Sequence, residues 1–218
     1  MTRRGIIRRM KKNKATSPVI KAVLFDLGKV LLHFDFAPAF RSLAKHGKVS
    51  PGEICQFFNE SGLEVLYDGG KISSLAFYSQ VKKGLKLSIS FHEFRDIWNN
   101  IFTPIGPMVR LVAQLKGKKR LVLISNTNAM HFEYAKKRYA VLQKFDRHIL
   151  SFKEKIRKPD HKIYKIASKA CRARPEEIFY IDDRQDLTDA AKELGFHIHT
   201  FKKDHEVLMK TLKEKGVL

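Results

Sequence analysis

Four short polar clusters in this 218-residue chain hold residue types able to do chemistry together. Asp26 lies in Phe25-Asp26-Leu27-Gly28, and Ser125 with Asn126 in Ile124-Ser125-Asn126-Thr127-Asn128. Lys158 precedes Pro159, and Asp182 is followed by Asp183. Three carboxylates gathered in one crevice repel each other, so either some stay protonated or a cation sits among them. Oxygen-only ligands select a hard cation, most simply Mg²⁺. A lysine beside them offsets further charge. A loop offering a hydroxyl and backbone N–H groups at Ser125-Asn126 suits phosphate oxygens. Taken singly, each cluster is ordinary: an Asp after a strand shapes a turn, and an Asp pair before a helix often caps it. Their ordered placement is the stronger signal.

That placement comes from the apolar runs ahead of them. Val19 to Phe25 is continuous, β-branched and short, as in a strand buried on both faces. Residues 119–124 and 177–181 repeat the pattern, and each run ends at a polar cluster. Residues 196–201 form a further expected strand, on which His197 and His199 read as a solvent-facing edge. Helical spacing is predicted over 129–140, over 159–170 with Pro159 in its first turn, and over 186–194, closed by Gly195. Strands alternating with helices predict an α/β fold: a Rossmann-like parallel sheet with helices on both faces. The carboxyl ends of such strands face one crevice, so Asp26, Ser125, Asn126, Asp182 and Asp183 converge there, with Lys158 close by.

Residues 37–104 have no such strands. Apolar residues at helical spacing over 36–46, 51–61, 74–83 and 90–102 predict four short helices, a small inserted bundle. The expected organisation is a basic disordered tail over 1–18, an α/β core over 19–33 and 105–218, and a helical cap over 34–104. Charge follows the same division. The formal net charge is +21, yet residues 33–104 carry eight basic residues against seven acidic. So large a charge raises a nucleic-acid reading, but the basic runs have little aromatic interleaving and make a weak stacking platform. Two distant cysteines, Cys55 and Cys171, fit free thiols in a reducing cytoplasm. No apolar run approaches the roughly 20 residues of a membrane helix.

The segments Phe25-Asp26-Leu27-Gly28-Lys29-Val30-Leu31, Ile124 to Asn128, Arg157-Lys158-Pro159-Asp160 and Ile181-Asp182-Asp183 resemble the four motifs of the haloacid dehalogenase-like hydrolase superfamily. The likeness runs from about residue 19 to the C-terminus. The insert between the first two motifs is similar to that family's type-one cap. The Asp26-Leu27-Gly28 start, the Ser125 to Asn128 loop and Gly70-Lys71-Ile72-Ser73 look most like the α-glucose-1-phosphate phosphatase branch. The resemblance implies that Asp26 is a nucleophile forming an aspartyl-phosphate. It implies that Ser125 and the Asn126 backbone hold the phosphoryl group and that Lys158 offsets charge. Asp26, the Gly28 backbone carbonyl, Asp182 and Asp183 would hold Mg²⁺. The implied partner is a small phosphorylated metabolite.

The chain departs from the commonest pattern at Gly28, where most phosphatases of the superfamily carry a second Asp serving as acid and base. Losing that donor costs about 10²–10⁴-fold in rate, less with a good leaving group such as an anomeric oxygen. Lys29 and His33 are the nearby substitutes. Two rivals stand beside the phosphatase. A metal-independent 2-haloacid dehalogenase also lacks the second Asp, but would leave Asp182-Asp183 without a neutralising cation. A non-catalytic member of the family could instead bind nucleic acid or protein through its basic surface.

Overall fold

The structure, a computed structural model, describes residues 18–218. The basic segment expected over 1–18 lies outside the described residues but for Pro18. The chain begins with β1 (Ala22–Phe25) and β2 (Leu32–Phe34). Five helices follow: α1 (Ala37–Ala44), α2 (Pro51–Ser61), α3 (Leu63–Asp68), α4 (Ser74–Gly84) and α5 (Phe91–Asn99). Then come β3 (Phe102–Pro104), α6 (Gly106–Leu115), β4 (Arg120–Ser125), α7 (Ala129–Arg138), β5 (Arg147–Leu150) and α8 (Ser151–Glu154). The chain closes with α9 (His161–Cys171), β6 (Ile178–Asp182), α10 (Gln185–Glu193), β7 (His197–Thr200) and α11 (His205–Glu214).

Five strands form one parallel sheet in the order β5-β4-β1-β6-β7. Alternate side chains of β1, β4 and β6 enter different layers, as the two-residue strand period requires. Val23, Phe25, Leu121, Leu123, Phe179 and Ile181 pack with helices α6, α7 and α11. Ala22, Leu24, Val122, Ile124, Ile178 and Tyr180 pack with α9 and α10. Because the chain runs from β1 outward through β4 and β5 on one side, then crosses to β6 and β7 on the other, the crevice at the carboxyl end of β1 is a topological switch point.

Helices α1–α5 share a third apolar cluster. Trp98 is fully buried at its centre, with ring centroids 4.9 Å from Phe58, 5.0 Å from Phe36 and 5.3 Å from Phe77. Serines start three of these helices: Ser50, Ser73 and Ser90 each accept a hydrogen bond from the third helical residue. Met130 of α7 joins the same cluster and seats the helices on the sheet layer. The short antiparallel pair β2–β3 joins the two ends of the segment.

Five helices stand where the spacing predicts four. The extra one, α3, has six residues and no side-chain cap. Helix α5 stops at Asn99, because Phe102–Pro104 leaves to pair with β2. Helix α9 starts at His161 rather than at Pro159, since the Asp160 side chain caps it by accepting from Lys162 N–H. Strand β5, which the sequence does not announce, completes the sheet. His197 and His199 sit on the edge strand β7 but are half-buried. Among the described residues, no helix is long and apolar enough to cross a membrane.

Candidate active site

Asp26 is the first residue after β1, and its N–H donates to Ile181 O at 2.9 Å, so the neighbouring strand fixes its backbone. Ser125 ends β4, Asp182 ends β6 and Asp183 follows. The sequence-predicted residues Asp26, Ser125, Asn126, Lys158, Asp182 and Asp183 all lie at this end of the sheet. Asp26, Ser125, Lys158 and Asp182 are buried, which a packed core does not reward unless the charges are paired.

Lys158 does the pairing. Its Nζ donates to Asp26 Oδ1 at 2.7 Å and to Asp182 Oδ2 at 2.6 Å. The Asn126 amide holds the lysine backbone from both sides: Lys158 N–H donates to Asn126 Oδ1 at 2.8 Å, and Asn126 Nδ2 donates to Lys158 O at 2.9 Å. So Asn126 positions the ammonium group as well as offering its backbone to the crevice. The Tyr180 hydroxyl also donates to Asp182 Oδ2, and Arg184 N–H donates to Asp182 Oδ1 at 3.0 Å. Both oxygens of Asp182 are thereby engaged by the protein.

Among the described residues Lys158 is the one cation in ion-pair contact with these three carboxylates, and it reaches two of them; Lys29 lines the same cavity near Asp183. Burial, with the Asp182 charge adding to it, pushes the Asp26 carboxyl up to about 7 against the opposing pull of Lys158. Burial and Asp182 likewise raise Asp183. Burial works against the Lys158 charge, but Asp26 and Asp182 outweigh it and raise its pKa. One ligand oxygen from each of Asp26, Asp182 and Asp183 lies within 4.8 Å of the others. An oxygen-only set this close, with no ion-pair partner on Asp183 among the described residues, fits a hard divalent cation.

Two cavities meet here and share Gly28, Phe34, Asp68 and Asn126. One, of about 250 Å³, is lined by Asp26, Lys29, Lys158 and Asp183. The other, of about 210 Å³, runs under the helical segment, with Glu64, Asp68, Asn128 and His131 facing Phe36 and Phe102. Asp68 joins the layers. Its Oδ1 accepts from Asn128 Nδ2 at 3.0 Å, and its backbone oxygen accepts from Ser151 Oγ at 2.5 Å. Close by, Met130 N–H donates to the Tyr67 hydroxyl at 3.1 Å. His131 is spent structurally: Nε2 donates to Trp98 O at 3.0 Å, and Nδ1 accepts from Asn128 Nδ2 at 3.2 Å.

Of the two substitute donors suggested near Gly28, Lys29 lines the first cavity, with its Nζ 5.4 Å from the Phe34 ring centre. His33 is exposed on β2 and lines neither cavity. Sequence reasoning missed Tyr180, Glu64, Asp68 and Phe34. Tyr180 had a signal, since the two-residue strand period puts it on the same face as Asp182. The other three depend on how the inserted segment folds back over the sheet.

Buried carboxylates aimed into a crevice at the ends of parallel strands mark an enzyme rather than a passive scaffold. A family model for haloacid dehalogenase-like hydrolases matches residues 20–195, and the chain belongs to that family. It is 23% identical over 185 residues to the D-ribitol-5-phosphate phosphatase of Bacteroides thetaiotaomicron, which covers 82% of this chain and 90% of that one. A haloacid dehalogenase family enzyme of the same organism superposes with a TM-score of 0.78 at 25% identity, over 88% of this chain and 98% of that one. The wild-type enzyme solved with magnesium and inorganic phosphate superposes with a TM-score of 0.73 at 26% identity, over 83% and 93%.

Proposed function

We propose that this hydrolase is a Mg²⁺-dependent phosphatase that cleaves a small phosphomonoester through an aspartyl-phosphate on Asp26. The observation that carries the reading is the meeting of Asp26, Asp182 and Asp183 around Lys158, opposite the Ser125-Asn126 loop. An Asp26 oxygen attacks phosphorus, and the bond to the leaving-group oxygen breaks. Water then attacks the phosphoryl group and returns Asp26 as a carboxylate. Ser125 and the Asn126 backbone hold the phosphoryl oxygens, while Lys158 keeps Asp26 aimed and partly neutralised. Asp26, the Gly28 carbonyl, Asp182 and Asp183 would hold the metal, Asp182 directly or through a water while it also pairs with Lys158. When bound, Mg²⁺ supplies positive charge that lets an anionic carboxylate approach an anionic ester.

Residues 34–104 serve as the cap that covers the leaving group and excludes water. Among the described residues, the cavity beneath it has no lysine or arginine in its lining, and sets carboxyl, amide and imidazole groups opposite aromatic rings. Such a lining suits a neutral, hydroxylated leaving group, as in sugar or polyol phosphates; the relative named for D-ribitol-5-phosphate is consistent with that class. The dehalogenase alternative accounts for less. Lys158 spends its charge on Asp26 and Asp182, which leaves Asp183 raised beside Asp182. The reducing cytoplasm is the compartment proposed, on the two free thiols Cys55 and Cys171.

Phosphate release from a panel of phosphometabolites, with and without Mg²⁺, tests the reading. The wild type is expected to need Mg²⁺, and Asp26→Asn to show no turnover. An absence of Mg²⁺-dependent turnover across the panel would sink it.

A further inference from the structure

Residue 28 cannot carry the leaving-group acid, and the structure gives a reason beyond its being glycine. A Cβ on residue 28 would lie 2.9 Å from Phe34 Cε1 and 3.4 Å from its Cδ1. The Phe34 ring is held in turn against Phe36 and Phe102, at centroid distances of 5.9 and 6.5 Å. An aromatic ring thus crowds the space a side chain at 28 would take. A proton for the departing oxygen must come from elsewhere in the leaving-group cavity.

The titratable groups lining that cavity are Glu64, Asp68 and His131. His131 has both ring nitrogens in hydrogen bonds, and burial lowers its pKa to about 4, so it is neutral with its proton committed to Trp98 O. Burial raises Asp68 as well, but its Oδ1 accepts from Asn128, which favours the carboxylate form and commits Asp68 to tying α3 to the Ser125 to Asn128 loop. Lys29 lines the neighbouring cavity, beside Asp183. Glu64 remains, one helical turn before Asp68 on the same face of α3. Its carboxyl has no hydrogen-bond partner among the described residues and shares its cavity with Gly28, Ser125 and Asn126. We propose that Glu64 is the catalytic acid that protonates the leaving group, in place of the missing acid at position 28.

The environment suits that task. Burial, reinforced by the Asp68 charge and opposed by Arg157, pushes the Glu64 carboxyl up to about 7, so it holds a proton near neutral pH. As the phosphorus–oxygen bond to the leaving group breaks, the Glu64 O–H passes its proton to the departing oxygen, which leaves as an alcohol. The resulting carboxylate takes a proton from the water that attacks phosphorus. The bond to Asp26 then breaks, giving inorganic phosphate, and Glu64 is again protonated. This proposal rests on the phosphatase reading and adds a residue to it.

The test compares kcat/KM on two substrates with Mg²⁺ present: p-nitrophenyl phosphate, whose leaving group departs as a stable anion, and the alkyl phosphomonoester that the wild type turns over fastest. Because kcat/KM covers the steps up to leaving-group departure, it isolates the donor role. Glu64→Gln is expected to lose at least about 10²-fold more on the alkyl ester than on the aryl ester, the usual worth of a general acid. Glu64→Asp, one methylene shorter, recovers part of that difference, and it supplies the comparison if Glu64→Gln melts below the assay temperature. Equal losses on the two substrates overturn the proposal while the phosphatase reading stands. So does the same selective loss appearing in Lys29→Met instead. A wild type inactive on both substrates removes the phosphatase reading and this proposal together.

Discussion

Phe34 Cε1 lies 2.9 Å from the point where residue 28 would place a β-carbon. Glycine at 28 and phenylalanine at 34 are therefore one packing unit. Gly28→Asp alone is expected to destabilise the fold by about 1–3 kcal/mol, the usual cost of overpacking. Paired with Phe34→Ala, the extra cost of Gly28→Asp largely disappears. Urea denaturation of the two single variants and the double variant measures the coupling, and strictly additive effects would contradict the contact.

The metal prediction needs no substrate. Mg²⁺ at about 100 times its Kd is expected to stabilise the wild type by about 2.7 kcal/mol, seen as a rise in Tm. Asp183→Asn abolishes the rise. Tyr180→Phe reduces it far less, because Tyr180 reaches the carboxylates only through Asp182, which Lys158 and the Arg184 N–H still hold. A rise of equal size in wild type and Asp183→Asn would remove Asp183 from the metal set.

His131 makes stability depend on pH. Burial lowers its pKa from 6.5 to about 4, with the hydrogen bond to Trp98 O opposing. Between those values the unfolded chain binds a proton that the folded one refuses. The contribution of the neutral ring is complete above pH 6.5 and is lost as pH falls toward 4. The Tm advantage of wild type over His131→Gln is therefore expected to shrink between pH 7 and pH 5 in calorimetric melting. A gap that stays constant or widens contradicts this account.

The central strands and their polar ends were legible because β1, β4 and β6 are buried on both faces, and such strands read as unbroken apolar runs. Strand β5 was not legible. Its four residues are Arg147, His148, Ile149 and Leu150, and only the last two are buried. The β2–β3 pair was hidden for another reason: three-residue strands separated by five helices leave no local trace. Helix α3 is six residues long and exposes Val65 and Leu66, so its spacing carries no amphipathic signal. Glu64 and Asp68 were missed with it. The residues readable from sequence are those that a single strand positions. The unread ones become neighbours of the site only once the inserted helices fold back over it.

The Asp68 clamp has a kinetic side. Hydrogen bonds from Asn128 to Asp68, Ser151 to Asp68 O, Met130 to Tyr67 and His131 to Trp98 O fasten the helical segment to the residues that follow β4 and β5. Each contributes about 0.5–1.5 kcal/mol net, so releasing these hydrogen bonds costs a few kcal/mol. An open state at that cost is a minor population of about 0.1–10%, reached on the microsecond to millisecond scale. On the phosphatase reading proposed above, such a fastening would keep the crevice dry during bond cleavage and still let an alcohol escape. On that reading, Asp68→Ala, which removes the acceptor from Asn128, is expected to trade protection of a phosphoryl-enzyme from stray water against faster exchange of contents.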